Sequence, residues 1–307
     1  KKKSSTKCCS KITIQDKKLI MLNNPKNSGI VTIIGEVNVG KSSLLNILVK
    51  KDVSIITHKS NTTNKQIKGI KSYKNSQIIF IDTPGLYINK GKTNRNFLSE
   101  IWSAVTEADF LCIVVDGNRT VSNVLYQLLE QINEKNFPKK RIILAINKID
   151  LISKDKLLKK TQEINEKYEF DKIFMISALK NDGIDDLLNW FTKHLPQKNW
   201  SYPPHIISDQ SFDQQLNEKT RQIILLRIHD EIPYSIEVSS DNIINVSKSK
   251  LRIFQSIYVH NQRHRSILIG KKGETIKSIS IGARKKIEKF TNKKIDLFLE
   301  VKIKKKV

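Results

Sequence analysis

Cysteine is scarce in this chain. There are three in 307 residues, Cys8 and Cys9 side by side near the start and Cys112 inside an apolar run. That supply makes neither a disulfide framework nor a set of metal thiolates, and it points to a reducing compartment. Long apolar runs are missing too. The longest, FLCIVV at residues 110–115, falls far short of the roughly 18 to 20 residues a membrane-spanning helix needs, so no such helix is expected. Acidic residues are few beside basic ones, 30 Asp and Glu against 55 Lys and Arg, which gives +25 and a pI near 9.8. Self-repulsion on that scale favours a polyanionic partner, although codon bias toward Lys, Ile and Asn supplies part of the same excess. What is present suffices for folded cores: 38% of residues are apolar, 7% aromatic. The length allows two domains of about 100 to 200 residues each.

The charge is unevenly placed, which bias explains less well than a high total. Residues 248–307 hold 18 Lys and Arg against 4 acids, so +14 of the +25 lies in the last sixty residues. This is an electrostatic footprint for phosphate backbones. Residues 1–28 open with four lysines in seven positions and have no acid before Asp16, and they read as a basic, disordered arm. Its Lys- and Ser-rich, acid-poor character also resembles an organellar transit remnant without the usual arginines.

From residue 29 a regular alternation begins. GIVTIIG is a β-branched run ending in glycine, and KSSLLNILVKK has helical spacing. QIIFIDTPG, FLCIVVDG, RIILAINKID and IFMISA read as further buried strands, with NVLYQLLEQINEK and KDKLLKKTQEINEKY as helices between them. Such alternation predicts an α/β domain with a mostly parallel sheet covered by helices on both faces, and ligands at the carboxyl ends of its strands. Three prolines in HLPQKNWSYPPHIISD interrupt the pattern. They place a linker at residues 197–210, between a first domain at 29–196 and a smaller one at 211–307.

Each sharp motif falls at a predicted strand end. GEVNVGKS, residues 35–42, fits G-x-x-x-x-G-K-[ST] between strand and helix. The loop residues Gly35, Glu36, Val37, Asn38, Val39 and Gly40, continuing through Lys41, Ser42 and Ser43, would wrap phosphates with backbone N–H groups at a helix N-terminus. Lys41 would reach the β- and γ-phosphates, and the Ser42 hydroxyl would bind Mg²⁺. In DTPG, residues 82–85, Asp82 would hold that Mg²⁺ through water and the Gly85 N–H would sense the γ-phosphate. NKID, residues 147–150, selects the base. The Asp150 carboxylate can accept from the guanine N1–H and 2-amino group, donors adenine lacks there, and Asn147 and Lys148 accompany it. Ser177, Ala178 and Leu179 form the expected third wall of the base pocket. A guanine nucleotide, GTP or GDP, with Mg²⁺ is therefore the expected cofactor.

Together these residues resemble the translation-factor-related GTPases, and with the end of the chain they resemble one family, Era. The resemblance runs from about residue 30 to residue 303. SNTTNKQIKG, residues 60–69, looks like that family's switch segment, which implies that Thr63, or otherwise Thr62, supplies a Mg²⁺ ligand; Asn64 departs from the basic residues the family carries after its threonines. The catalytic set implied is Lys41, Thr63, Asp82 and Gly85. Where Ras-type enzymes carry a water-orienting glutamine, this chain has Leu86, so slow intrinsic hydrolysis is expected. Asn38 matches an asparagine that potassium-activated relatives use for a monovalent cation, although a solvated loop residue reads the same.

The second glycine loop, IGKKG at residues 269–273, gives the same letters as a helix C-cap among solvated lysines. The order helix, strand, strand, helix, loop, helix, strand after residue 202 agrees instead with a type II KH domain, a small α+β fold in which a G-x-x-G loop lets a nucleic-acid backbone approach closely. Gly270 and Gly273 would be the close-approach positions, Lys271 and Lys272 would lie by phosphates, and Ile267 and Ile269 would line the apolar groove. Lys277, Arg284, Lys285 and Lys286 would flank it. GKKGETIKSISIGARKKIE, PPHIISDQS and EIPYSIEV also resemble Era segments. Phe254 and Tyr258 read as core or sheet-face residues.

The resemblance implies a GTP-controlled protein that binds the 3′ end of small-subunit rRNA and the small ribosomal subunit and assists maturation of that subunit; the expectation is a monomer in bacterial cytoplasm, with peripheral contact to the inner membrane as a further partner, or, alternatively, in the mitochondrial matrix. The competing readings are a membrane-associated or signalling GTPase whose basic end meets anionic lipid, and a structural ribosome component with a degenerate nucleotide site. The intact Lys41, Ser42, Asp82 and Asp150 argue against the latter.

Overall fold

The protein is described by a computed structural model covering residues 26–55, 66–86, 95–134, 141–228 and 236–304, of which 95–98 are described as backbone only. Nearly all of the expected arm at 1–28, together with Thr62, Thr63 and Asn64, lies outside the described residues. Asn27 and Ser28, placed in the arm by sequence, are the first residues of β1 (Asn27–Gly35).

The first domain is built on a six-stranded sheet in the order β2-β3-β1-β4-β5-β6. Its strands are β1, β2 (Ile67–Tyr73), β3 (Ser76–Asp82), β4 (Phe110–Asp116), β5 (Arg141–Asn147) and β6 (Lys172–Met175). All neighbours are parallel except the β2–β3 hairpin, which turns through Lys74 in the left-handed region. Buried on both faces, β4 and the part of β3 after Gln77 read as apolar runs ending in a carboxylate.

Two apolar clusters cover the two faces. On one, α1 (Lys41–Val49) and α5 (Ile184–His194) pack Leu44, Leu45, Leu48, Leu187 and Phe191 against Val31, Ile33 and Phe80. On the other, α2 (Arg95–Glu107), α3 (Asn123–Glu134) and α4 (Lys154–Lys167) supply Ile101, Leu129 and Ile164 against Leu111, Ile113 and Leu144.

The second domain follows the expected order: α6 (Phe212–Arg227), β7 (Glu237–Ser247), β8 (Lys250–Val259), α7 (Gln262–Ile269), α8 (Glu274–Thr291) and β9 (Lys294–Ile303). Its sheet runs β7-β8-β9, antiparallel then parallel, with the helices against one face through Leu216, Ile224, Leu268, Ile279 and Ile287. A capping box between Ser211 and Gln214 starts α6. Phe254 stacks on its register partner Phe298, ring centroids 4.9 Å apart, and both Phe254 and Tyr258 lie on the strand's partly exposed side.

The linker is laid against the first domain. The Ile70 N–H donates to the Ile207 carbonyl at 2.8 Å, and the Gln77 amide exchanges hydrogen bonds with the Tyr202 backbone at 2.8 and 3.0 Å. From α6, the buried Lys219 donates to the Asp52 carbonyl and sits 5.2 Å over the Phe290 ring. Among the described residues no helix is long and apolar enough to cross a membrane.

Candidate functional site

A turn of special backbone joins β1 to α1. Gly40 has φ 98°, and a Cβ added there would lie 2.3 Å from Asn147 Nδ2, so glycine is required both by conformation and by the neighbouring base-side loop. The two loops are bonded: Asn147 Nδ2 donates to the Val39 carbonyl at 2.8 Å, and Lys148 Nζ to the Asn38 carbonyl at 2.7 Å.

Lys41 opens α1 with its side chain buried, donating to the Gly35 and Glu36 carbonyls at 3.0 and 2.7 Å. Burial lowers its pKa to about 8, with the charges of Asp82 and Glu36 opposing the shift. The ammonium thus stands where an anion would relieve its desolvation. The DTPG turn closes onto it, since a Cβ on Gly85 would meet Val37 and lie 3.0 Å from Lys41 Nζ. Ser42 Oγ donates to Asp82 Oδ2 at 2.7 Å. A hydroxyl and a carboxylate held together are hard oxygen donors of the kind Mg²⁺ takes alongside phosphates. No cluster of three or more His, Cys, Asp or Glu able to hold a metal occurs among the described residues.

At the base end, the buried Asn147 accepts the Ala178 N–H at 3.0 Å and Asp150 accepts the Ser177 hydroxyl at 2.6 Å. The structure thereby brings together NKID and the 177–179 segment, with Leu179 81% exposed at the rim. A cavity of about 1130 Å³ runs from Gly40, Lys41 and Ser42 to Asn147, Asp150 and Ala178, and Leu226 of α6 borders it. Two sequence expectations gain physical detail. Leu86 is in the apolar core with its N–H on the Gly35 carbonyl at 2.9 Å, so its side chain has no access to an attacking water. Asn38 lines the cavity with φ 63°.

Sequence reasoning missed Asp116. Its buried carboxylate pairs with Lys148 Nζ at 2.7 Å and Arg119 Nε at 3.5 Å and accepts the Asn118 N–H at 2.9 Å, fixing the lysine beside the base pocket. The available signal was its place at the carboxyl end of the FLCIVVD strand.

In the second domain α7, the GKKG loop and α8 follow each other as expected. Gly270 has φ 74°, and a Cβ there would lie 2.1 Å from Thr275 Oγ1; Gly273 has φ 80° with open space beside it. Lys271, Lys272, Lys277, Arg284 and Lys285 are exposed, while Ile267 and Ile269 are partly buried against the domain core with Ile276 and Leu299. Lys286 departs from expectation. It is half-buried toward Asp52 at the domain junction, where desolvation lowers its pKa.

Comparison with known proteins agrees with this geometry. The family described as 50S ribosome-binding GTPase matches residues 30–148, and the KH domain family matches residues 231–307. GTPase Era of Dinoroseobacter shibae is 39% identical over 279 residues, covering 91% of this chain and 91% of that protein. GTPase Era of Agrobacterium fabrum is 38% identical over 279 residues, covering 91% and 87%. Among solved structures, Era in complex with MgGDPNP and nucleotides 1506–1542 of 16S ribosomal RNA superposes with a TM-score of 0.81 at 33% identity, covering 91% of this chain and 94% of that one. An Aquifex aeolicus Era variant bound to GDP·AlF4⁻ gives 0.82, also at 33% identity and with the same coverage. With a phosphate loop, a guanine-type base pocket and a G-x-x-G domain on one chain, and relatives this similar along nearly its whole length, the protein belongs to the Era family of GTPases.

Proposed function

We propose that this GTPase binds GTP with Mg²⁺, holds the 3′ end of small-subunit rRNA on its KH domain, and assists maturation of that subunit by coupling the two. The observation that carries the reading is the pairing, on one chain, of a complete phosphate and base site with an exposed basic G-x-x-G loop between two helices. The relative crystallised with both MgGDPNP and a 16S rRNA segment supports both ligands. Asp82, Ser42 and Thr63 would hold the metal, which would neutralise charge developing on the phosphates.

The junction supports coupling. Asp52 precedes the switch segment and meets Lys219 of the KH domain, while Lys68 near its end and Ile70 just after it pair with Asp209 and Ile207 of the linker. Leu86 leaves the attacking water to another group. A K⁺ ion held by Asn38 is the candidate, to be tested by comparing rates in K⁺ and Na⁺. The G-x-x-G loop weighs against anionic lipid as the partner.

The test is GTP hydrolysis in K⁺ buffer with and without an rRNA 3′-end oligonucleotide, for the wild type and for Gly270→Asp/Gly273→Asp. RNA stimulation abolished in the double variant is the expected result. Hydrolysis indifferent to RNA in both proteins would retire the coupled mechanism.

A further inference from the structure

Asp82 Oδ2 accepts two hydroxyl hydrogen bonds, from Ser42 at 2.7 Å and from Ser54 at 2.8 Å. Ser42 belongs to the phosphate loop. Ser54 belongs to no motif, lies 28 residues before Asp82 in sequence, and is buried at 4% exposure against a carboxylate residue at 0%.

The backbone around Ser54 is itself clamped. Asn46 Nδ2 donates to the Ser54 carbonyl at 2.8 Å, and Asn46 Oδ1 accepts the N–H groups of Val53 and Ser54 at 2.9 and 2.8 Å. Asn46 is on α1, whose first turn carries Ser42. One helix therefore sets both hydroxyls on one carboxylate oxygen, directly from its first turn and through Asn46 from its second. A carboxylate held by one donor can swivel about its Cβ–Cγ bond; two donors from different segments fix its plane. Ser54 also stands one residue before Ile55, which borders the nucleotide cavity and leads into the segment carrying Thr63.

We infer that Ser54 is a positioning residue for the magnesium site: its hydroxyl, pinned by Asn46, orients the Asp82 carboxylate for the metal's water shell and for Ser42. The inference rests on the reading that Mg²⁺ accompanies the nucleotide. It goes beyond the P-loop, DTPG and NKID motifs, which contain neither Ser54 nor Asn46.

The test is equilibrium titration of the full chain with a fluorescent GDP, once in millimolar Mg²⁺ and once in EDTA, for the wild type, Ser54→Ala and Ser54→Thr. The quantity read is the ratio of the two affinities. Ser54→Ala should shrink that ratio about tenfold, the lower end of what a hydrogen bond to a charged group contributes, while its affinity in EDTA stays within about twofold of wild type. Ser54→Thr, which keeps the hydroxyl, should restore most of the ratio. A Mg²⁺-dependent wild type with an equal ratio in Ser54→Ala would overturn this inference alone. So would a loss of the same size with and without Mg²⁺, which marks a purely structural role. A wild type indifferent to Mg²⁺ would overturn the magnesium reading and this inference with it.

Discussion

Lys41 must be cationic to serve phosphates, yet the fold buries it. Its pKa falls from 10.5 to about 8 in the nucleotide-free protein, and at roughly 1.36 kcal/mol per pH unit the charged form is disfavoured by about 3 kcal/mol relative to the unfolded chain. The sign of the pH dependence follows. Between about pH 8 and 10.5 the unfolded chain still holds the proton and the folded one has released it, so stability contributed by this group rises with pH across that window. Below pH 8 both states are protonated and the contribution is constant. Other lysines titrate in the same range, so the informative quantity is the difference between wild type and Lys41→Met. All three tryptophans, Trp102, Trp190 and Trp200, belong to the first domain or the linker, and urea unfolding followed by tryptophan fluorescence reads that region. The difference should be flat to about pH 7.5 and then favour wild type by about 3 kcal/mol more at pH 10.5. A difference that stays flat, or falls, refutes the reasoning. The same linkage predicts that GTP binding takes up a proton near pH 9 and weakens about tenfold per unit above pH 8, because the triphosphate restores the charge.

Further outcomes follow from the geometry of the base pocket, the G-x-x-G loop and Leu86. Asp150→Asn replaces one of the two acceptor oxygens for guanine with an N–H donor and should lower GDP affinity by about a hundredfold or more, read by fluorescent-nucleotide titration; the Ser177 hydroxyl that donates to Asp150 at 2.6 Å matters less, and Ser177→Ala should cost about tenfold. Gly273→Ala meets open space but keeps φ near 80°, so KH-domain stability should fall by about 1–2 kcal/mol in thermal unfolding, whereas Gly270→Ala drives its Cβ into Thr275 and should abolish RNA binding in a gel shift while GTP binding is retained. Leu86→Gln, which would restore the Ras-type residue, buries an amide in an apolar cluster; hydrolysis assays should show no faster rate, and urea unfolding a loss of about 1–3 kcal/mol.

The parts of the site written as contiguous motifs were legible because each demands particular residues at fixed spacing. Gly40, Lys41, Asp82, Asn147 and Asp150 could be assigned roles before any contact was known. Asp116 could not. Its importance depends on the parallel register that sets it opposite Asn147, and a carboxylate at one strand end looks like any other until that register is fixed. β2 escaped because Lys68 and Lys71 interrupt its apolar residues, as befits an edge strand whose neighbours are β3 and the linker. Strand β7 extends well past the SIEV segment that marks it, because Ser240, Asn242 and Asn245 carry the hairpin through two register shifts rather than through apolar alternation.

The domain junction was the least legible feature, and its chemistry explains why. The prolines of 197–210 marked a boundary, but they carried no sign that the Ile207 carbonyl completes the outer edge of β2, since edge pairing is made by backbone and leaves no side-chain signature. Nothing in the sequence around Lys219 marks it as other than a surface cation. It is instead buried, because its long aliphatic stem can pack on Phe290 while the ammonium reaches the Asp52 carbonyl across the junction. Asp52 thereby faces two KH-domain lysines, Lys219 and Lys286, both with pKa values lowered by burial. The Asp52 charge opposes both shifts, so the contact sets attraction against the cost of desolvating the two cations. The described contacts at Asp52 and at Lys68 thus tie the two chain segments that flank residues 56–65 to the KH domain and to the linker leading into it, and these are the contacts that the proposed coupling of nucleotide and RNA would use.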